Sequence, residues 1–100
     1  MIIGGGGIAC EYDSQDSRSI KTHIHAALTH PEVILECLVE PIAKKRNLIK
    51  KKWKGNYLCL ESIDKALKVF NSDILVIASP TNTHLSIIKK IIAVYKPKVI

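Results

Sequence analysis

Glycines near the N-terminus give the strongest signal for ligand chemistry in the sequence. The apolar pair Ile2–Ile3 leads into four successive glycines, and Ala9 follows shortly after them. The pattern Gly4-x-Gly6-x-x-Ala9 is typical of a dinucleotide-binding turn. Its first glycine allows a tight turn, its second lets a pyrophosphate approach the main chain, and its small third residue lets helix and strand pack. Amide groups at the start of the following helix would face the phosphates. The same glycines are also compatible with a flexible tight turn that binds nothing.

A carboxylate follows the second predicted strand. Residues Val33–Val39 form a near-continuous apolar run, as expected of a parallel strand covered on both faces, although Glu36 interrupts it. Glu40 comes next, where a βαβ nucleotide-binding unit places the acid that accepts hydrogen bonds from ribose hydroxyls. The alternative is an ordinary charged residue leaving a strand, and the glycine turn upstream favours the ribose contact. The spacing from Ala9 exceeds the usual ~20 residues, which the polar stretch Glu11–Ser19 would explain.

The elements that must position these residues alternate along the first half of the chain. The polar stretch Glu11–Ser19 predicts a loop or a broken helix, because its residues prefer caps and turns. A helix follows and ends before Pro31. The next helix runs between Pro41 and Gly55. The first of these helices is expected to bury Ile20, Ile24, Ala27 and Leu28, and the second Ile42, Ile49 and Trp53.

The second half continues the alternation. A short strand over Tyr57–Leu60 precedes a helix capped by Ser62. A buried strand over Asp73–Ala78 is stopped by Pro80. The helix after Ser62 buries Ile63, Ala66, Leu67 and Phe70, the helix after Pro80 carries an apolar stripe of Leu85, Ile88, Ile92 and Tyr95, and a fifth strand begins at Lys98–Ile100.

Composition is that of a globular protein, with 47% apolar and 24% charged residues. No apolar run approaches the ~20 residues that span a bilayer, and no signal peptide is visible. The three cysteines Cys10, Cys37 and Cys59 lack a C-x-x-C pair, which argues against a disulfide framework or a zinc site and favours a reducing cytosol. Cys10 lies beside the glycine turn, where a thiol pKa can be lowered, but packing is the favoured interpretation.

Histidines and lysines offer weaker candidates. His23 and His25 would lie about 200° apart around a helix, so they cannot share a metal and are interpreted as surface or boundary residues. The net charge of +6 is local, because seven of the 15 Lys and Arg residues lie within Lys44–Lys54. This cluster predicts either a nucleic-acid surface or the solvated face of one helix, and the second is favoured because only Trp53 is interleaved for stacking.

The order of these segments and their amino-acid sequences resemble those of the Gfo/Idh/MocA family of glucose–fructose oxidoreductase, inositol dehydrogenase and their relatives. The resemblance covers Ile2–Ile100 and is most specific at the strand-to-helix junction Ala78–His84. It implies a Rossmann-type, doubly wound α/β sheet in the order 3-2-1-4-5, cut short in or before its fifth strand. The cofactor-binding residues that it implies are Gly4, Gly6, Gly7, Ile8, Ala9, Glu40, Ser79, Pro80, Thr81, Asn82 and His84.

Family members are two-domain NAD(P)-dependent enzymes that move a hydride to or from a sugar or cyclitol. The resemblance therefore implies that residues 1–100 are the front part of the cofactor domain. The Glu-Lys-Pro stretch that supplies the family's assisting lysine is missing, as is the substrate domain, so no catalytic residue is assigned. For His84 a capping or packing role is favoured over proton transfer.

Charge favours NAD, since a carboxylate at Glu40 would repel a 2′-phosphate, although Lys44, Lys45 and Arg46 keep NADP open. An alternative from another class is a non-enzymatic α/β module that binds an acidic partner through Lys44–Lys54. Apolar surface left by a missing fifth strand is expected to favour self-association. No membrane partner is expected.

Overall fold

The computed structural model describes residues 1–100 as four strands and four α-helices that alternate along the chain. In order these are β1 (Ile2–Ile3), α1 (His23–Thr29), β2 (Cys37–Val39), α2 (Ala43–Lys52), β3 (Leu58–Leu60), α3 (Ile63–Leu67), β4 (Val76–Ile77) and α4 (His84–Ile92). A π-helical turn, Gly7–Glu11, follows β1, and a 3-10 turn, Thr81–Thr83, precedes α4. None of the helices has the length and apolar character needed to cross a membrane.

The strands form one all-parallel sheet in the order β3-β2-β1-β4. In the register, Ile2 lies opposite both Leu38 and Val76. A single parallel bridge joins Ile74 to Val99. The predicted order is thus confirmed for its first four strands, and Val99 lies where the fifth was expected.

Alternating side chains divide the core into two layers. On one face of the sheet, Ile2 and Leu38 pack in a cluster with Ile24 of α1 and with the fully buried Trp53, which follows α2. On the other face, Ile3 packs in a cluster that includes residues of α3 and α4. Helices therefore cover both faces, as the near-continuous apolar strands predict.

Three strands are shorter than predicted: β2, β3, which begins one residue later, and β4, which covers only Val76–Ile77. Of the run Val33–Val39 only Cys37–Val39 is a strand, because the neighbouring strands β1 and β3 begin opposite Leu38 and Cys37. Ile34 is accordingly 84% exposed. Glu36 accepts a hydrogen bond from the Ser72 hydroxyl, so it sits at the strand's entrance and does not interrupt it.

Three predictions of helical faces are wrong in part. Ile20 is exposed and precedes α1, because Thr22 caps that helix. Ile42 is exposed because it is the residue that precedes the first turn of α2. In α4 the residue that packs in the core is Ile91, so Leu85 and Ile92 face outward. The predicted helix after Ser62 is confirmed, including its cap: the Ser62 hydroxyl accepts a hydrogen bond from the Lys65 amide.

Candidate functional site

The turn after β1 lies between the carboxyl ends of β2 and β4. The Gly4 amide donates to the carbonyl of Val39 at 2.8 Å. Gly4 has a φ of +103°, and a Cβ there would lie 2.7 Å from the carbonyl carbon and oxygen of Ala78. Only glycine tolerates both the conformation and the close approach. Since β2 and β4 flank β1, this turn is the point where the strand order reverses, and ligands of open α/β sheets bind at such points.

Glu40 points into this turn. Its Oε2 accepts a hydrogen bond of 2.9 Å from the Gly5 amide, and its Oε1 accepts one of 3.0 Å from the Ile42 amide. The residue is 6% exposed, so the carboxylate is held in one position against the glycines. The side chain therefore borders the turn.

Gly6 and Gly7, in the outer part of the turn, differ in how much space lies beside them. A Cβ on Gly6 would meet nothing within 4 Å, and the Gly6 amide has no hydrogen-bond partner in the chain. At Gly7 a Cβ would lie 2.5 Å from the Tyr12 hydroxyl oxygen, so the Tyr12 ring covers that residue. Gly6 thus offers an open and unpaired amide, whereas Gly7 lies beneath the ring of Tyr12, a residue that is 64% exposed.

The helix expected after the glycines is a single π-helical turn of five residues. Ala9 within it is fully buried in the cluster that contains Ile2, as the small-residue position requires, whereas Ile8 is half exposed. Its last carbonyls are held by side chains of α2 and the residue after it. Trp53 Nε1 donates to the Cys10 carbonyl at 2.9 Å, and Lys52 Nζ donates to the carbonyls of Cys10 and Glu11 at 3.2 and 3.1 Å. These bonds and the polar stretch that follows end the helix early.

The junction after β4 is a network of local hydrogen bonds. Ser79 Oγ lies 2.8 Å from Thr83 Oγ1, and Nε2 of His84 lies 2.7 Å from the Ser79 carbonyl oxygen. Ser79 adjoins Gly4, whereas Pro80, Thr81 and Asn82 are exposed and no hydrogen bond joins them to the turn or to Glu40. The structure therefore brings Gly4, Gly6, Glu40 and Ser79 together at the carboxyl end of the sheet, with His84 bound to the Ser79 carbonyl.

A buried polar cluster that the sequence did not reveal lies in the predicted loop. Asp13 is 9% exposed and accepts hydrogen bonds from the Thr22 hydroxyl at 2.6 Å and the Lys21 amide at 2.7 Å. Its Oδ2 also lies 2.7 Å from His25 Nδ1. The interpretation of His25 as a surface or boundary residue is wrong, since it is 3% exposed and packs 5.4 Å, centroid to centroid, from the Trp53 ring. His23 is exposed, as expected.

The cluster fixes the charge of Asp13. Removal from water raises the pKa of the carboxyl, but hydrogen bonds from Thr22, Lys21 and His25 outweigh that effect and hold the pKa well below its usual range. Thr22 was identifiable from the sequence as a cap three residues before His25. The partner Asp13 was not, because nothing in the spacing of the loop indicates which acid turns inward.

Cys10 is a packing residue. It is 1% exposed, and burial raises the pKa of its thiol to about 12, so the thiolate is suppressed at neutral pH. The favoured interpretation from the sequence is confirmed.

The basic cluster lies on and beside α2. Arg46 donates to the carbonyls of Glu40 and Pro41, and Lys50 donates to the Tyr57 carbonyl. With Lys52, already bound to the π-helical turn, three of the seven cations stabilise the fold. Trp53 is fully buried and gives no platform for stacking on a base. The remaining lysines, which have no hydrogen bond or ion pair from their side chains, are Lys44, Lys45, Lys51 and Lys54.

The chain was compared with models of known protein families, with curated proteins and with solved structures, and none of the three comparisons found a match. The resemblance to the Gfo/Idh/MocA family therefore depends on the quoted motifs alone.

Proposed function

We propose that the chain is a Rossmann-type domain that binds NAD at the carboxyl end of the sheet, against the glycine turn and Glu40. The pyrophosphate would lie against the amide of Gly6, and the carboxylate of Glu40 would accept hydrogen bonds from the ribose hydroxyls. The observation that carries the proposal is the open, unpaired Gly6 amide beside the Glu40-bound Gly5, at the reversal point of the sheet.

The residues present fit such a cofactor. A pyrophosphate needs a main chain without side chains in its way, and the space beyond Gly6 is clear. Both Glu40 oxygens accept one hydrogen bond each from main-chain amides, and each oxygen keeps a second acceptor site for a ribose hydroxyl. Tyr12 over Gly7 must rotate away for the cofactor to lie along the whole turn.

The arrangement also supports NAD over NADP. The Glu40 carboxylate would repel a 2′-phosphate. Arg46 is the cation that is bound beside Glu40, and it already donates to the carbonyls of Glu40 and Pro41. Lys44 and Lys45 have no partner from their side chains, so NADP is the second candidate cofactor.

The larger proposal is that the chain serves as the cofactor-binding portion of an oxidoreductase acting on a sugar or cyclitol. Support for it comes from the motif Gly4-x-Gly6-x-x-Ala9, the acid Glu40 and the junction Ser79–His84. The nicotinamide would carry the hydride, and the residues of this chain would place it and set its electrostatic surroundings. None of these 100 residues is assigned a catalytic role.

Titration with NADH and NADPH, followed by cofactor fluorescence, tests the proposal. Gly6→Val should lower NADH affinity by about tenfold or more, because its side chain fills the space of the pyrophosphate. The fold should survive, since that Cβ meets no atom and the φ of Gly6 is −89°. Asn56→Val, an exposed position before β3 at the other end of the sheet, is the matched control and should bind like the unaltered protein.

Two results would contradict the proposal. One is equal, saturable binding by Gly6→Val and Asn56→Val. The other is binding that weakens steeply with salt and ignores Gly6 but responds to loss of Lys44 and Lys45. That second result would support the alternative module, which recognises an acidic partner through the basic cluster.

A further inference from the structure

A cavity lies at the amino ends of the strands, away from Glu40. It is a groove of about 470 Å³ between α1, the segment 33–36 and the approach to β4. Its floor and walls are mostly apolar, including Ala27 of α1, the 84% exposed Ile34 and the 44% exposed Ile74. Exposed apolar surface of this kind marks a site of association.

The topology explains why the groove is open. α1 and α2 share one face of the sheet and pack over β1, β2 and β3, whereas α3 and α4 pack on the opposite face. β4 therefore has a helix on only one side. On the α1 side, Val76 is half-buried and Ile74 points into the groove. A helix laid beside α1 would complete this layer.

The charge of the groove restricts what can occupy it. In a chain of net charge +6, three carboxylates line this cavity, those of Glu32, Glu36 and Asp73, against one fixed cation, the N-terminal ammonium of Met1, which donates to the Ile74 carbonyl at 2.9 Å. Glu36 is bonded to Ser72, and Asp73 is paired with Lys98 at 3.1 Å. The Glu32 carboxylate has no partner within the chain. The groove thus favours an apolar helix that carries a positive charge.

The outer face of α4 has these properties. Leu85 is 64% exposed and Ile92 48% exposed, with the half-buried Ile88 between them on the same stripe. Lys89 borders the stripe and makes no hydrogen bond or ion pair, unlike Lys90, which is paired with Asp64 at 2.7 Å. The chain therefore exposes both an apolar groove with a free carboxylate and an apolar helix with a free ammonium.

We infer that two copies of this chain associate head to tail, with α4 of one copy lying in the groove of the next and Lys89 beside Glu32. Symmetric arrangements are disfavoured by charge, because groove against groove would oppose carboxylates and α4 against α4 would oppose lysines. The two surfaces lie on opposite faces of the sheet, so a head-to-tail pair keeps one free groove on one copy and one free α4 on the other. Such heterologous contacts allow further copies to add.

Mass measurement over a concentration series tests the inference. The unaltered protein should rise above its monomer mass of 11.1 kDa as concentration increases. Ile34→Arg places a long charged side chain in the groove, and Leu85→Glu places a carboxylate in the apolar stripe of α4. Both positions are largely exposed, so both variants should fold, which circular dichroism checks. Each variant alone should remain monomeric.

Mixing the two variants gives the decisive result. Ile34→Arg keeps an intact α4 and Leu85→Glu keeps an intact groove, so the mixture should form one-to-one dimers that grow no further. If association were symmetric, groove against groove or α4 against α4, then mixing the two variants would not create a new interface between them. A mixture that stays monomeric, or an unaltered protein that is monomeric throughout the series, would overturn the inference.

Charge reversal gives a second readout that does not depend on apolar contacts. Lys89→Glu and Glu32→Lys should each weaken association, and the double variant should recover it because the pair is re-formed with opposite polarity. Failure of the double variant to recover would overturn the pairing. Asp16→Lys, exposed and outside both surfaces, is the charge control and should associate like the unaltered protein.

Discussion

The Gly5 amide donates a hydrogen bond of 2.9 Å to Oε2 of Glu40 and so ties the turn after β1 to the end of β2. The bond is buried and spans 35 positions of the sequence. The other carboxylate oxygen, Oε1, accepts from Ile42 at the start of α2. One side chain therefore fixes the relative positions of the glycine turn, a strand end and a helix start.

Glu40→Gln should cost stability because an amide side chain can offer only one oxygen where the carboxylate offers two. Losing one bond between a charged acceptor and a buried amide is expected to lower the free energy of unfolding by about 2 kcal/mol. Urea denaturation measures this. Glu61→Gln is the control, because that carboxylate is half exposed and its pairing with Lys65 is screened by water, so its loss should cost much less. Equal losses in the two variants would contradict the role given to Glu40.

Gly4→Ala should destabilise the protein more than Gly6→Ala does. The new Cβ would lie 2.7 Å from the main chain of Ala78, and the φ of +103° is strained for alanine. We expect a loss of about 2–4 kcal/mol in the free energy of unfolding. Gly6→Ala, whose Cβ meets nothing, should be neutral or stabilising by up to about 1 kcal/mol. If Gly6→Ala lost more free energy of unfolding than Gly4→Ala, the turn would have another conformation.

Tyr12→Ala should raise the affinity for NADH, because the ring lies over Gly7 and must rotate before a cofactor can occupy the whole turn. Tyr12→Phe keeps the ring and should change affinity less. Titration with NADH at constant salt compares the two variants. Weaker binding by the alanine variant would mean that the ring contacts the cofactor and does not obstruct it.

Asp13→Asn should lower stability at neutral pH, with a difference that shrinks in acid. The pKa of Asp13 is below its usual range in the folded protein, so its contribution is present above the unfolded pKa of about 4 and is lost as the pH falls below it. Thermal unfolding between pH 7 and pH 3 measures the difference between variant and unaltered protein. Asp16→Asn, exposed in the same loop, should show no such difference at any pH. A difference for Asp13→Asn that is independent of pH would mean that charge is not what stabilises the cluster.

Periodicity predicted the kinds of element and their order, because an apolar strand or stripe must bury itself whatever its partners are. The sheet order 3-2-1-4-5 was that of the Rossmann-type fold which the resemblance implied, and it was confirmed for its first four strands. Strand lengths were not predictable: Val33–Leu35 is as apolar as any strand, but it has no neighbouring strand with which to pair. The inward face of α4 was misassigned for a related reason, since Leu85 and Ile91 are equally apolar and only the sheet decides between them.

At the carboxyl end of the sheet, local rules identified the residues whose role is dictated by the main chain. Gly4 has the backbone that a tight turn demands, and Glu40 reaches the turn from the end of β2. The length of the helix after the turn depended on distant partners, Lys52 and Trp53, which no local pattern connects to Cys10. The burial of Asp13 and His25 likewise depends on a long-range arrangement of the loop against Trp53.

The central claim is that the main chain at Gly6 receives the pyrophosphate of a dinucleotide while Glu40 holds its ribose. Amide chemical shifts of the ¹⁵N-labelled protein, recorded during titration with NADH, test it most directly. The account predicts saturable shifts at Gly5, Gly6 and Gly7 and at the amide of Ile42, whose hydrogen bond to Glu40 reports on that carboxylate. Shifts confined to the lysines of α2, or none at all, would contradict it.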